Sequence, residues 1–304
     1  MGRLRQGVKG CTRGVMLGFV NIYKPAGETS SRTVQFVKWT LVKAFGLSKK
    51  LKVGHFGTLD PEASGVLPIA IGNACRLFEY SLDKIKVYKA EILFGKSTST
   101  LDVFGEVLEE VQCDVSEEQL KKAILDFPKT YDQIPPNVSA KSIGGVKAYK
   151  LARQGVEFSL PSKTVTIHEL SYVKKLDDNK YEISLTCSAG TYVRSICRDL
   201  GDILGVPACM GKLLRLKSGE FDLENAVTKE EFEKNPLNYL LNCDVVVEKL
   251  PRLDVSYDVL IKLKNGLQQY TDATNGTYRI YEDEKLVGIT KVENGVNKFV
   301  TRLI

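Results

Sequence analysis

A single carboxylate, Asp60, stands between Leu59 and the rigid Pro61, inside a stretch reading Gly54-His-Phe-Gly-Thr-Leu-Asp-Pro-Glu-Ala-Ser-Gly-Val-Leu-Pro68. His55, one of only two histidines in the chain, lies five residues upstream. Gly54, Gly57 and Gly65 argue against a helix interior, and the apolar run from Val66 to Ile71 reads as a strand that bounds the segment. A carboxylate displayed on a loop held by a rigid scaffold is suited to nucleophilic or acid–base work. Asp-Pro is also a common way to start a structural turn in which the aspartate bonds its own backbone. The spacing leaves both readings open.

The elements that must position this loop can be read along the chain. Gly18 to Tyr23 alternates like a strand and ends in Lys24-Pro-Ala-Gly27; Ser30 and Ser31 then offer an N-cap for a helix with Val34, Val37 and Leu41 on one face. A short helical stretch is expected around 73–80, and a half-buried strand from Lys86 to Leu93. Ser116-Glu-Glu-Gln119 and Thr228-Lys-Glu-Glu231 are capping boxes, the first ahead of a helix reaching Phe127. Strands near 164–174 and 181–187 flank a turn at Asp177-Asp178-Asn179, and a helix opens on Gly190-Thr-Tyr-Val-Arg194 and runs to Leu204. Gln133 to Gly155 is loop-like and basic, with Lys141, Lys147, Lys150 and Arg153 around Tyr149. After Pro251, Asn265-Gly266, Asn275-Gly276 and Asn294-Gly295 read as hairpin turns of a small all-β module. The fold class expected is α+β, a mixed or antiparallel sheet decorated by helices, followed by that module.

The 304 residues, 43% hydrophobic and 26% charged, fit a soluble globular chain of one large and one small domain. No apolar run reaches the roughly 18 residues of a membrane-spanning helix. Residues 1–15 carry Arg3, Arg5, Lys9 and Arg13 and no acid, which is +4 of the +6 net charge, with no apolar core of a secretory signal. Met16 directly precedes the first strand and is expected to be the functional start, with 1–15 an upstream misread or a disordered arm. A basic arm touching nucleic acid is the sharper alternative. The seven cysteines are scattered without Cys-x-x-Cys spacing, His55 and His168 stand alone, and no glycine-rich nucleotide motif is present. Reduced thiols, a cytoplasmic protein, and chemistry without metal or cofactor are the expectations.

Four separated segments, Lys24-Pro-Ala-Gly27, the Asp60 loop, Lys86-Val-Tyr88 and Gly190-Thr-Tyr-Val-Arg194, together resemble the TruB family of pseudouridine synthases, which isomerise a uridine in the T loop of tRNA, at position 55. Gln133-Ile-Pro-Pro136, Ser139-Ala-Lys141, Ala148-Tyr149, Ala152-Arg-Gln-Gly155 and Leu213-Leu-Arg215 before Gly219 extend the resemblance over nearly all of 16–304. It implies a catalytic domain over 16–245, with an RNA-binding insertion about 130–160, and a PUA-like β domain over 250–304. It puts the catalytic carboxylate on Asp60, whether that group attacks the ribose C1′ or deprotonates the sugar. An aspartate kept ionised beside a polyanion wants a cationic neighbour, and Arg194 matches the family's arginine; a guanidinium grips a carboxylate with a planar fork and stays charged. A uracil must be flipped out to be reached, and Tyr88 matches the tyrosine that stacks on it and could relay the C5 proton.

The same resemblance puts His55 against the RNA, Lys24 under the site or on a phosphate, Tyr192 beneath the pocket, and an acidic position on Asp102. Lys141, Lys147, Lys150 and Arg153 are the expected phosphate ligands. The loop departs from the family's usual filling at Phe56, Glu62 and Ser64, and Leu214 takes a place commonly held by arginine. The partner implied is the tRNA T stem-loop, met by a monomer that requires no protein partner. Rival readings are the guide-RNA-dependent branch of the superfamily and a non-catalytic tRNA-binding or folding protein.

Overall fold

A computed structural model describes residues 16–81, 84–139, 142–143, 146–147, 156, 158 and 160–304, with side chains left out of account at 142–143 and 146–147. Lys141, Lys150, Arg153 and the side chain of Lys147 therefore lie outside the described residues, as does the basic segment 1–15.

The strands are β1 (Gly18–Lys24), β2 (Val53–His55), β3 (Ser64–Ile71), β4 (Lys86–Phe94), β5 (Lys96–Thr98), β6 (Val107–Glu110), β7 (Thr130–Gln133), β8 (Ser142–Ile143), β9 (Val146–Lys147), β10 (Lys163–Asp177), β11 (Lys180–Cys187), β12 (Ala208–Ser218) and β13 (Phe221–Asp222). Helices α1 (Ser30–Phe45), α2 (Glu117–Asp126), α3 (Val193–Leu204) and α4 (Lys229–Lys234) are set among them. One sheet runs in the order β1-β3-β12-β4-β11-β10-β7, with β2 beside β3 and β13 beside β12. Every pair in it is antiparallel except β12 with β3, so the sheet is mixed, as expected.

β4 explains itself from its sequence: the residues of Lys-Val-Tyr-Lys-Ala-Glu-Ile-Leu-Phe alternate between buried and half-buried, the period of a strand with one face on a core. That core gathers Tyr88, Ala90, Ile92 and Phe94 with Ile183, Leu185, Ile196 and Leu200 of β11 and α3. A second cluster packs Val34, Val37 and Leu41 of α1 on Val20, Ile22, Leu67 and Ile69. The start of α1 differs from expectation in one respect. Its N-cap is Thr29, whose hydroxyl accepts from the Arg32 N–H, because Ser30 is turned toward Leu59 instead. Both capping boxes form as read.

The C-terminal segment is a four-stranded sheet, β14 (Gln269–Tyr270), β15 (Gly276–Glu282), β16 (Lys285–Glu293) and β17 (Val296–Arg302), in the order β14-β17-β16-β15. It is not all-β: Tyr257–Lys264 forms helix α5, burying Leu260 and Leu263 against Ile280 and Val287. Of the three Asn-Gly pairs only Asn294-Gly295 turns a hairpin, with both residues at positive φ. Asn265-Gly266 closes α5, for Asn-Gly stops a helix as readily as it turns a strand, and Gly276 opens β15. The hairpin from β15 to β16 turns on Asp283 and Glu284, which adopt φ values of 46° and 59° without glycine. Leu286 and Ile289 of this sheet and Leu303 just after it share a cluster with Phe19 and Val66 of the main sheet.

Candidate active site

Asp60 opens a tight turn: the Ala63 N–H donates to the Asp60 carbonyl at 3.1 Å, with Pro61 in the position where its fixed φ favours the turn. Both neighbours of Asp60 are held from below. The Ser30 hydroxyl donates to the Leu59 carbonyl at 2.8 Å and accepts from the Leu59 N–H at 2.9 Å. The Pro61 carbonyl accepts from the Gly27 N–H, the Glu28 N–H and the Lys24 ammonium, at 3.0, 3.2 and 2.9 Å. The turn and the display of the carboxylate are thus one structure. The Asp60 side chain stays 41% exposed, while Leu59 and Ala63 on either side of the turn are buried.

Lys24 does not reach a phosphate. It is fully buried, its ammonium donates to the carbonyls of Pro25, Glu28 and Pro61, and burial lowers its pKa to about 8 despite nearby Glu28, Glu62 and Asp60. It supports the loop from inside.

Arg194 sits in the first turn of α3, 4% exposed, with Nη2 2.9 Å from Asp60 Oδ2. Its other contacts fix the guanidinium: Nη1 donates to the Thr100 carbonyl at 2.9 Å and lies 3.6 Å from Asp102 Oδ2, and Nη2 donates to the Val138 carbonyl at 3.1 Å. Asp102 is held in turn, its Oδ1 accepting from the Thr100 hydroxyl and the Phe104 N–H. It is presented by Leu101, which takes a left-handed φ of 61° that costs a side-chain-bearing residue about 1–2 kcal/mol. Asp60 and Asp102, 42 positions apart in the chain, are therefore bridged by one buried arginine.

A cavity of about 400 Å³ opens beside Asp60, within the usual range of small-molecule sites. Tyr88, Tyr192, Arg194, Leu213 and Arg215 line it, with Lys84 and Lys86 adding positive charge. The Tyr88 hydroxyl is pushed up by burial, partly offset by the Arg215 cation next to it. Tyr192, the residue ahead of α3, has its hydroxyl raised chiefly by burial. His55 is absent from the cavity wall: it pairs with Ile69 across β2 and β3, its Nδ1 is buried without a hydrogen-bond partner, and burial, then Arg215, lowers its pKa. Phe56 lies edge-on to Phe19 at 5.2 Å between ring centres, so this departure from the family's filling serves the core.

Arg215 was legible in the sequence only as part of a motif. The structure places it 1% exposed opposite Tyr88, with Nε donating to the Val66 carbonyl at 2.8 Å and Nη2 to the Gly57 carbonyl at 3.1 Å. Nη1 is 3.5 Å from the Thr58 carbonyl. A signal existed: in Leu213-Leu-Arg215 the arginine falls on the same inward face of the strand as Leu213, where a charge is out of place. Gly65 allows this approach, since a Cβ there would collide with the Arg215 backbone. Among the described residues no group of three or more His, Cys, Asp or Glu side chains could hold a metal ion, and no helix is long and apolar enough to cross a membrane.

A model of the TruB family pseudouridylate synthase N-terminal domain matches residues 43–193, and one of the tRNA pseudouridylate synthase B C-terminal domain matches 194–250. The chain is 37% identical over 292 residues to the tRNA pseudouridine synthase B of Alkaliphilus oremlandii, covering 92% of this chain and 94% of that one. It is 40% identical over 260 residues to that of Bacillus pumilus, covering 82% of each. Among solved structures it resembles one described as an H/ACA RNP bound to a substrate RNA containing 2′-deoxyuridine, with TM-score 0.68 and 20% identity over 94% of this chain and 85% of the other. An archaeal box H/ACA sRNP Nop10-Cbf5 complex gives TM-score 0.67 and 22% identity, over 94% of this chain and 86% of the other, a likeness of fold. With relatives this similar along most of its length, the chain belongs to the TruB family of pseudouridylate synthases.

Proposed function

We propose that the protein converts uridine to pseudouridine in tRNA, at position 55 of the T loop, with Asp60 as the nucleophile. The observation that carries this reading is the pairing of a partly exposed Asp60 with the buried Arg194 at the wall of a cavity that also holds Tyr88. A uridine flipped from the loop enters with its base against Tyr88. Arg194 takes Asp60 Oδ2 and orients the carboxylate, leaving Oδ1 to attack the ribose C1′. The N1–C1′ bond breaks, the uracil turns, C5 attacks C1′, and the aspartate leaves. The C5 proton is lost and N1 gains one, so the net change is an isomerisation.

Tyr88 relays that C5 proton, its phenol lying next to the Arg215 cation. Lys141, Lys147, Lys150 and Arg153 supply phosphate contacts from the insertion, and the PUA-like segment 250–304 adds an auxiliary one. The enzyme acts as a monomer in the cytoplasm. Names of the relatives at 37–40% identity support tRNA as the substrate; the likeness to H/ACA proteins, at 20–22%, bears on fold.

The test is to incubate the protein with an unmodified tRNA transcript, without guide RNA, and map pseudouridine. Conversion at the T-loop uridine is expected. No product there would sink the proposal.

A further inference from the structure

We infer that Gln133 is a positioning residue for the reaction: its side-chain amide sets the start of α3 and so aligns Arg194 on Asp60. The inference rests on the uridine-isomerising reading of the site. Gln133 ends β7 and is 1% exposed. It lies outside the cavity wall and touches no reacting group. Its Oε1 accepts from the Tyr192 N–H at 2.7 Å, and its Nε2 donates to the Tyr192 carbonyl at 3.2 Å. One side chain thus bonds both polar groups of one residue's backbone, as a neighbouring strand would, and orients the peptide planes on either side of Tyr192. A buried amide with its donors satisfied is rigid as well as stabilising.

Tyr192 is a sensitive place for such a grip. It is the N-cap residue of α3, and its own side chain makes no capping hydrogen bond, so the helix start lacks the usual side-chain support. Arg194 follows two residues on, and Tyr192 itself lines the cavity. The chain just after Gln133 is stitched to the same helix: the Ser195 hydroxyl donates to the Ile134 carbonyl at 2.9 Å, and Arg194 Nη2 donates to the Val138 carbonyl at 3.1 Å. The second Gln133 donor hydrogen goes to the Tyr131 hydroxyl, at 2.9 Å, which in turn donates to Asp199 at 2.6 Å. Gln133 therefore ties β7 to the residue that leads into Arg194, and what it controls is the direction of the guanidinium rather than the binding of RNA.

The test measures single-turnover pseudouridine formation at saturating tRNA, the Kd for tRNA, and thermal unfolding for wild type, Gln133→Met, Gln133→Glu and Tyr131→Phe. A displaced catalytic group can cost about 100-fold in rate, and that loss is expected for Gln133→Met with an unchanged Kd. Gln133→Glu keeps the acceptor for the Tyr192 N–H and loses both donors; it is expected to lose rate as well, and it serves as the probe if the methionine variant does not fold. Tyr131→Phe leaves the grip on Tyr192 and should keep the wild-type rate. A wild-type rate in a folded Gln133→Met or Gln133→Glu overturns the inference. So does a loss seen only as weaker tRNA binding, or an equal loss in Tyr131→Phe. A wild-type protein that makes no pseudouridine overturns instead the reading of the site.

Discussion

The Lys24 ammonium lies 2.9 Å from the Pro61 carbonyl, directly beneath the turn that displays Asp60. Lys24-Pro-Ala-Gly27 and the Asp60 loop thus meet as support and load: the same carbonyl takes the backbone N–H groups of Gly27 and Glu28. A carbonyl with three donors cannot shift without breaking all of them, and the carboxylate one residue back inherits that rigidity.

The burial of Lys24 gives a pH signature. Its folded pKa is about 8, below the ordinary 10.5 that it regains on unfolding. Between these values the unfolded chain binds more protons, so the contribution of Lys24 to stability rises with pH across the window and is constant below it. Lys24→Met removes that slope. Urea unfolding of both proteins at pH 7 and pH 10 should show the balance moving toward wild type as pH rises; a difference that stays constant would mean that the ammonium is not desolvated.

The Asp60–Arg194 pair predicts a clean separation of binding from chemistry. Asp60→Asn keeps shape and removes the nucleophile, so tRNA should bind with near wild-type affinity while product disappears, because affinity rests on phosphate contacts elsewhere. Arg194→Lys should fail too. A lysine is a point charge on a flexible stem and cannot hold Asp60, the Thr100 carbonyl and the Val138 carbonyl together. A rate loss of about 10²–10³ is expected, the scale of removing one fixed electrostatic donor. Gel-shift affinity beside single-turnover rates checks both, and turnover near wild type in Asp60→Asn would remove it from the nucleophile's role.

Much of this arrangement was legible in the residues. Asp60, Tyr88 and Arg194 could be named because each falls in a segment that resembles the TruB family, and the strand that carries Tyr88 follows from the period-2 pattern of β4. What was hidden depends on distant pairing. Lys24 read as supporting the site or meeting a phosphate, and only the fold, which surrounds it with the Glu28 and Pro61 carbonyls, decides for the support. Ser30 read as a helix cap, when Leu59, 29 residues on, claims its hydroxyl. Arg215 read as part of a weak motif because its partners at 57, 58 and 66 are far away in sequence. At the C-terminus, Asn-Gly served two structures with one signal, and the 3.6 period of α5 was the cue that separates them.

Arg215 sets two large effects against each other. Burying a guanidinium that has no carboxylate partner among the described residues is costly, and burial lowers its pKa accordingly. Removing it leaves the buried Val66 carbonyl short of a donor, at about 1–3 kcal/mol, and frees the Gly57 carbonyl at the exposed edge of the loop. In Arg215→Met these oppose, so the net change in unfolding free energy should be modest, within about 2 kcal/mol. Activity should fall much further, because Gly57 and Thr58 lose the clamp that shapes the approach to Asp60 and Tyr88 loses its cation. Denaturant unfolding beside single-turnover rates checks this, and a variant that stays active would show that the clamp is not needed for chemistry.

His55 carries the acid limb. Burial, then the Arg215 cation, holds its folded pKa below the ordinary 6.5. As pH falls through 6.5 the unfolded chain takes up a proton that the folded imidazole resists, so stability drops from there down to the folded pKa and levels off below it. His55→Phe has no such proton to bind and should lose less stability than wild type between pH 7 and pH 5. Thermal unfolding of the two proteins across that range measures it. Parallel curves would mean that the imidazole titrates normally and that its unpartnered Nδ1 is reached by solvent.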